Sequence, residues 1–176
     1  MTLRRSAAVH EAGHLFGAWY FRQAVGPGGV RITDAGMGRA DVPPIASLAE
    51  VRRLRLARKD REAKSRVRAE IVTVLLGPMA EYKAGRYRVN WLLEPVGAES
   101  TDVAQVRRFL AELYPAEQRE GAQWSLQEAT KRLLRERAWR AIRAVAAELV
   151  KMGKMEGPEV SAIFRSHRVP RVRQRP

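Results

Sequence analysis

The stretch AAVHEAGHLFGAW, residues 7–19, sets two of the chain's three histidines four positions apart, with a glutamate directly after the first. On an α-helix, positions i and i+4 lie one turn apart on one face, so His10 and His14 can aim ring nitrogens at a single metal ion about 2.0–2.1 Å away. Glu11 points elsewhere round the helix. It does not easily complete the same set of ligands, but it can reach a water on the ion, and in H-E-x-x-H peptidases that glutamate is the general base. The neighbours Ala8, Val9, Ala12, Leu15 and Phe16 are apolar, so two imidazoles without a partner here would be partly stripped of water. The spacing therefore predicts a metal site.

A catalytic zinc needs a third protein ligand and one open position. The chain has no cysteine, which excludes thiolate zinc sites, iron–sulfur clusters, disulfides and a cysteine nucleophile. The last histidine, His167, stands at the edge of an arginine-rich tail, so a carboxylate is the expected third ligand. Asp102 opens a stripe of Val103, Val106, Leu110 and Leu113 that would anchor it to a core. An aspartate near a helix N-terminus is also favoured by the dipole alone, and Glu81, Glu94 and Glu99 remain alternatives on spacing.

The elements that must position these residues are mostly helical. Leu3 to about Ala24 lacks breakers apart from Gly13 and Gly17, with Thr2 as N-cap. Residues 25–44 are rich in Gly and Pro around Val30–Thr33, which predicts one or two small strands near 29–42. Ser47 and Glu50 form a capping box for a helix to about Arg58, and the next helix, from about Arg61 to Gly85, should kink at Pro78. Residues 86–100 read as a loop that carries a Trp/Leu-rich patch. A helix from near Thr101 stops at Tyr114–Pro115. Ser125 and Glu128 suggest a second capping box, opening a helix to about Met152, and Gly157–Pro158 starts a last short one. The expected fold class is mainly α, with one domain over residues 1–166 and a basic, disordered tail over 167–176.

With 176 residues and 45% hydrophobic content, the chain can bury one substantial core. Its formal net charge of +14 would draw it to nucleic acid, acidic lipid or an acidic protein. Outside the tail, however, the arginines interleave with apolar residues at helical spacing, as on a solvated helix face. The longest apolar stretch, residues 71–80, is too short to span a bilayer, and no secretory signal precedes it, which predicts a soluble, cytoplasmic protein with no membrane span. Neither a Walker-type loop nor G-x-G-x-x-G is present.

In wording and order, the chain resembles the zinc peptidase domain of the membrane-bound AAA+ protease FtsH. AAVHEAGHLFGAW is similar to that family's metal helix, and EIVTVLLGPMAEYKAG to its helix with a Leu-Gly-Gly-Arg-Ala-Ala-Glu-Glu run. GAESTDVAQVRRF is similar to the family's Gly-Ala-x-Asn-Asp-Leu-x-x-Ala segment, and KMGKMEGPEVSAIF to its closing helix. The likeness covers about residues 5–165. It implies a helical, zincin-like peptidase domain that holds Zn2+ through His10, His14 and Asp102, with Glu11 activating water and Glu81 supporting the site from beside it. It also implies that Val30, Arg31, Ile32 and Thr33, where the family has an edge strand, hold a peptide substrate by strand addition. The family's six-membered rings raise the expectation of a homo-oligomer.

There are departures. Pro78-Met79 stands where Gly-Arg is usual, Asp102 follows Thr rather than Asn, and the turn before it is long and carries a tryptophan. No ATPase module or membrane helix accompanies the domain in this sequence. The expected function is accordingly an ATP-independent zinc metalloendopeptidase acting on flexible or unfolded protein segments. The alternative, suggested by the charge, is a non-catalytic or regulatory zinc-binding protein whose basic surface binds nucleic acid or an acidic partner.

Overall fold

A computed structural model describes residues 2–85 and 101–172. In chain order its elements are α1 (Leu3–Tyr20), β1 (Val30–Ile32), β2 (Gly38–Ala40), α2 (Leu48–Leu56), α3 (Asp60–Lys83), α4 (Thr101–Leu113), α5 (Ala116–Leu133), α6 (Glu136–Met152), β3 (Lys154–Met155) and α7 (Gly157–Ser166). The fold is mainly helical, with a small antiparallel sheet of strand order β2-β1-β3. Among the described residues, no helix is long and apolar enough to cross a membrane.

The helix at the centre is α1. Thr2 caps it, its hydroxyl accepting the Arg5 N–H at 3.3 Å. Twelve of its eighteen residues are buried, so it is enclosed by neighbours instead of showing one apolar stripe to a core. It packs against α3, α6, α7 and the sheet. Phe164 of α7 sets its ring against Phe16 and Trp19, at centroid distances of 6.1 and 5.8 Å.

Two glycines bring α1 and α3 unusually close. A Cβ at Gly13 would run into the Leu76 carbonyl oxygen and sit 2.9 Å from the Gly77 Cα, and one at Gly17 would sit 2.9 Å from the Thr73 Cα. The C-terminal half of α3, from Glu70 to Ala80, is buried almost throughout, and α4 and α5 cover its other sides. The helix continues through Pro78.

Several expected boundaries differ. The first helix ends at Tyr20, because Arg22 takes a left-handed conformation (φ 62°) and the Gln23 N–H closes back onto the Ala18 carbonyl at 2.8 Å. The expected helix from Ser125 to Met152 is in fact two, and Ser125 lies inside α5. The chain breaks at Leu134, which is buried and whose carbonyl accepts the Lys83 ammonium at 2.9 Å. That break lets α5 pack on α3 and α4 while α6 packs on α1. β3 had no visible signal; its two residues extend the sheet through Met155, which pairs with Val30.

Part of the tail expected to be disordered is placed. Val169 is buried, its carbonyl accepts the Trp19 indole N–H at 3.3 Å, and the Val172 N–H bonds the Tyr20 carbonyl at 2.8 Å. Residues 173–176, and the expected loop at 86–100 with Glu94 and Glu99, lie outside the described residues.

Substituting Gly13 by Ala should destabilise the protein by about 1–3 kcal/mol or more, since the obstacle is helix backbone that cannot rotate away. Gly121→Ala, in α5 with nothing within 4 Å of the new methyl, should stabilise by about 0.5–1 kcal/mol. Urea unfolding of both variants checks the pair; equal effects would contradict the close crossing.

Candidate metal centre

His10 and His14 point from α1 toward α3 and the first turn of α4. Their Nε2 atoms lie 2.9 Å apart, and Asp102 Oδ2 lies 3.0 Å from His10 Nε2 and 3.5 Å from His14 Nε2. Among the described residues, these three form the group of side chains whose ligand atoms converge within 4.8 Å. Two imidazoles and a carboxylate are a donor set that suits zinc and its first-row neighbours.

The other ring nitrogens are already engaged. His10 Nδ1 donates to Glu81 Oε2 at 2.9 Å, and His14 Nδ1 to the Thr73 carbonyl at 3.1 Å. A carbonyl can only accept, so His14 Nδ1 carries a proton, and Nε2 is the nitrogen left to face the convergence point. A hydrogen bond from the far nitrogen to a carboxylate or carbonyl is the usual support of a metal-bound histidine. Glu81, in turn, accepts from the Ser6 hydroxyl.

Glu11 lines the same cleft of about 400 Å³ as the three ligands, and its carboxylate accepts the Ala40 N–H. It is only 7% exposed. Gly38 makes room for it, since a Cβ there would fall 2.6 Å from the Glu11 Cγ. β2 therefore runs directly over Glu11.

The electrostatics follow from this crowding. Burial disfavours the imidazolium of His10, but hydrogen bonds and charge from Asp102 and Glu81 outweigh it and carry its pKa from 6.5 up to about 10. Burial likewise works against the Asp102 carboxylate, yet the two imidazoles hold it well below the ordinary range. For Glu11, burial dominates and pushes the carboxyl upward, only partly offset by His14 and His10.

The structure corrects the expected substrate strand. Val30, Arg31, Ile32 and Thr33 cannot receive a peptide by strand addition, because β1 is the middle strand and pairs on both edges. Val30 and Ile32 are buried, and Thr33 closes the turn to Met37. Of the two outer strands, β2 and β3, it is β2 that lines the cleft. The Thr33 N–H bonds Met37 O and the Asp41 N–H bonds Gly29 O, so the alternate groups of Gly38 and Ala40 face outward, along the cleft.

Sequence reasoning missed two supports. Thr73 orients His14 through its carbonyl. Glu70, 4% exposed, accepts the Ile45 N–H at 2.6 Å and the Gln105 amide at 2.9 Å, tying the segment behind β2 and the helix of Asp102 to α3. Burial raises its pKa, with the Ile45 and Ala46 N–H groups partly offsetting the rise. A signal existed: Glu70, Thr73, Gly77 and Glu81 recur at i, i+3, i+7 and i+11, a polar and glycine stripe in the otherwise apolar stretch of residues 70–81. His167 stays apart from the site, its Nδ1 donating to the Ile163 carbonyl at 3.0 Å.

Compared with models of known protein families and with curated proteins, the sequence matches none. Geometry therefore has to carry the functional conclusion.

Two predictions follow from the proton and hydrogen-bond inventory. Because His10 is an imidazolium at neutral pH, a metal must displace its proton, so zinc affinity should rise about tenfold per pH unit between pH 6 and 8. Calorimetry in buffers of different ionisation enthalpy should show proton release on binding, and a flat affinity would contradict a His10 held protonated by Asp102 and Glu81. Glu81→Gln should weaken zinc by about 10–100-fold while leaving the helical content unchanged; competition with a fluorescent chelator measures it.

Proposed function

We propose that this protein is a zinc-dependent endopeptidase with a zincin-like, FtsH-type domain, acting on flexible or unfolded protein segments. One observation carries the proposal: the three convergent ligand atoms, the buried Glu11 and the free edge of β2 all face one cleft. A metal-binding site without catalysis has no need of the last two.

His10, His14 and Asp102 would hold the ion through two nitrogens and one oxygen. Zinc so bound supplies Lewis acidity, lowering the pKa of water and polarising a peptide carbonyl. Glu81 and the Thr73 carbonyl fix the two rings so that both Nε2 atoms face the ligand point. The outward backbone groups of Gly38 hold an extended substrate beside Glu11, and main-chain bonding of this kind selects for extended chain more than for sequence. Glu11 takes the proton of the attacking water on its carboxylate and returns it to the leaving amine. A carboxyl raised by burial is suited to both halves of that transfer, because it holds a proton more readily than a solvated glutamate does. Val42, Pro43 and Val74 give the cleft apolar walls.

Glu11→Gln should retain zinc and lose casein cleavage by about 10²-fold or more, the range expected for removing a general base. Metal content and cleavage measured on the same sample decide it. Equal rates in the variant and the parent would remove Glu11 from the chemistry and the peptidase assignment with it.

A further inference from the structure

Val9 and Glu11 lie two residues apart on α1 and so about 200° apart round the helix. On the Val9 side, Arg5 and Val9 face the outer surface of α6 across a groove of about 630 Å³, larger than the cleft at the metal ligands. Its floor is apolar and made of small side chains, Ala144 and Ala147 beside Val9. Its rim is cationic, formed by Arg5, Arg140, Arg143 and Lys151, and no carboxylate is among the described residues that line it.

This surface is periodic. On α6 the groove residues include 140, 143, 144, 147 and 151, at i, i+3, i+4, i+7 and i+11, with Ala146 and Val150 beside them, so they form one continuous face of the helix. It runs alongside the face that Ala141, Ile142, Val145 and Leu149 bury against the core. Glu136 reaches Arg140 only at 3.9 Å across solvent, and Glu148 pairs with Lys151 at 2.7 Å, so the rim keeps a net positive charge.

An apolar trough edged by cations matches a ligand of the inverse pattern. Nucleic acid would find phosphate contacts on the rim, but a floor of alanine and valine offers its bases neither hydrogen bonds nor a flat ring to stack on. A helix with an apolar stripe between rows of carboxylates would bury the stripe on the floor and meet the rim with opposite charge. We propose that the groove between α1 and α6 is a docking site for an acidic amphipathic helix of a partner protein. The docking inference stands independently of the peptidase reading, since neither the metal nor Glu11 takes part.

The test uses the full chain and a fluorescein-labelled 18-residue helical peptide of leucine and glutamate, read by anisotropy. Arg140→Glu/Arg143→Glu on α6, and separately Arg5→Glu on α1, should each weaken binding by about tenfold or more. A control reversal on another exposed basic face, Arg53→Glu/Lys64→Glu, should change it by less than about twofold, and a peptide with serine in place of leucine should bind at least about tenfold more weakly. The proposal is overturned if the control reversal is as damaging as the groove reversals, or if the serine peptide binds as well as the leucine peptide. It is equally overturned if a 20-base-pair duplex displaces the peptide and binds more tightly through the same arginines, which would make the groove a nucleic-acid surface. Arg5 lies on a different helix from Arg140 and Arg143, so misfolding of one variant leaves the other to decide.

Discussion

The close crossing of α1 and α3 is the constraint on which the site depends. Two helices normally sit 8–10 Å apart, held off by side chains; here Gly13, Gly17 and Gly77 remove those side chains along the seam. Gly77 matters most directly, because a Cβ at that position would lie 2.9 Å from the His10 Nε2 and against His14 as well. The imidazoles thus occupy space that only glycine leaves open. The same proximity lets a main-chain carbonyl of α3, that of Thr73, orient His14, and a carboxylate about two turns further along α3, that of Glu81, orient His10. β2 repeats the device above α1, where Gly38 clears the volume taken by Glu11.

The arrangement has an energetic cost that stability alone would not select. Glu11 and Glu70 are carboxylates at 7% and 4% exposure, in a core otherwise built of Leu, Val, Ile and Phe. Burying a charge without full compensation is strongly unfavourable, and replacing such groups by apolar ones often stabilises a protein. Glu70 is compensated by backbone and amide donors, which makes it a structural tie between α3, α4 and the chain behind β2. Glu11 has one backbone donor and two neighbouring imidazoles, and burial still raises its pKa. A group left in that condition beside two imidazoles and a carboxylate that converge on one point is the signature of a functional site more than of a core.

Much of this could be seen in the sequence, for identifiable reasons. H-E-x-x-H has a fixed geometry on any helix, so His10, His14 and their common aim needed no tertiary information. Thr2 and Ser47 announced helix starts because caps act over three residues. Spacing left Asp102 one carboxylate among four, and the structure brings it to the histidines while using Glu81 to orient His10. What could not be read were facts of long range: which strand of the hairpin ends up in the middle, decided by Met155 pairing with Val30 from more than a hundred residues away. The break at Leu134 is of the same kind, since it exists to let α5 and α6 meet different partners. Ser125 with Glu128 imitated a cap because the local pattern carries no knowledge of that packing.

The most direct test is zinc K-edge X-ray absorption on the zinc-loaded full chain, with metal stoichiometry measured on the same sample, for the parent and for His14→Ala and Asp102→Ala. The account predicts about one zinc per chain in a four-coordinate shell of nitrogen and oxygen. Scattering from two imidazoles should fall to one in His14→Ala and stay at two in Asp102→Ala, with affinity lowered in both. A zinc shell whose imidazole count is unchanged by His14→Ala, or a parent protein that takes up no stoichiometric zinc, would contradict the metal centre and everything inferred from it.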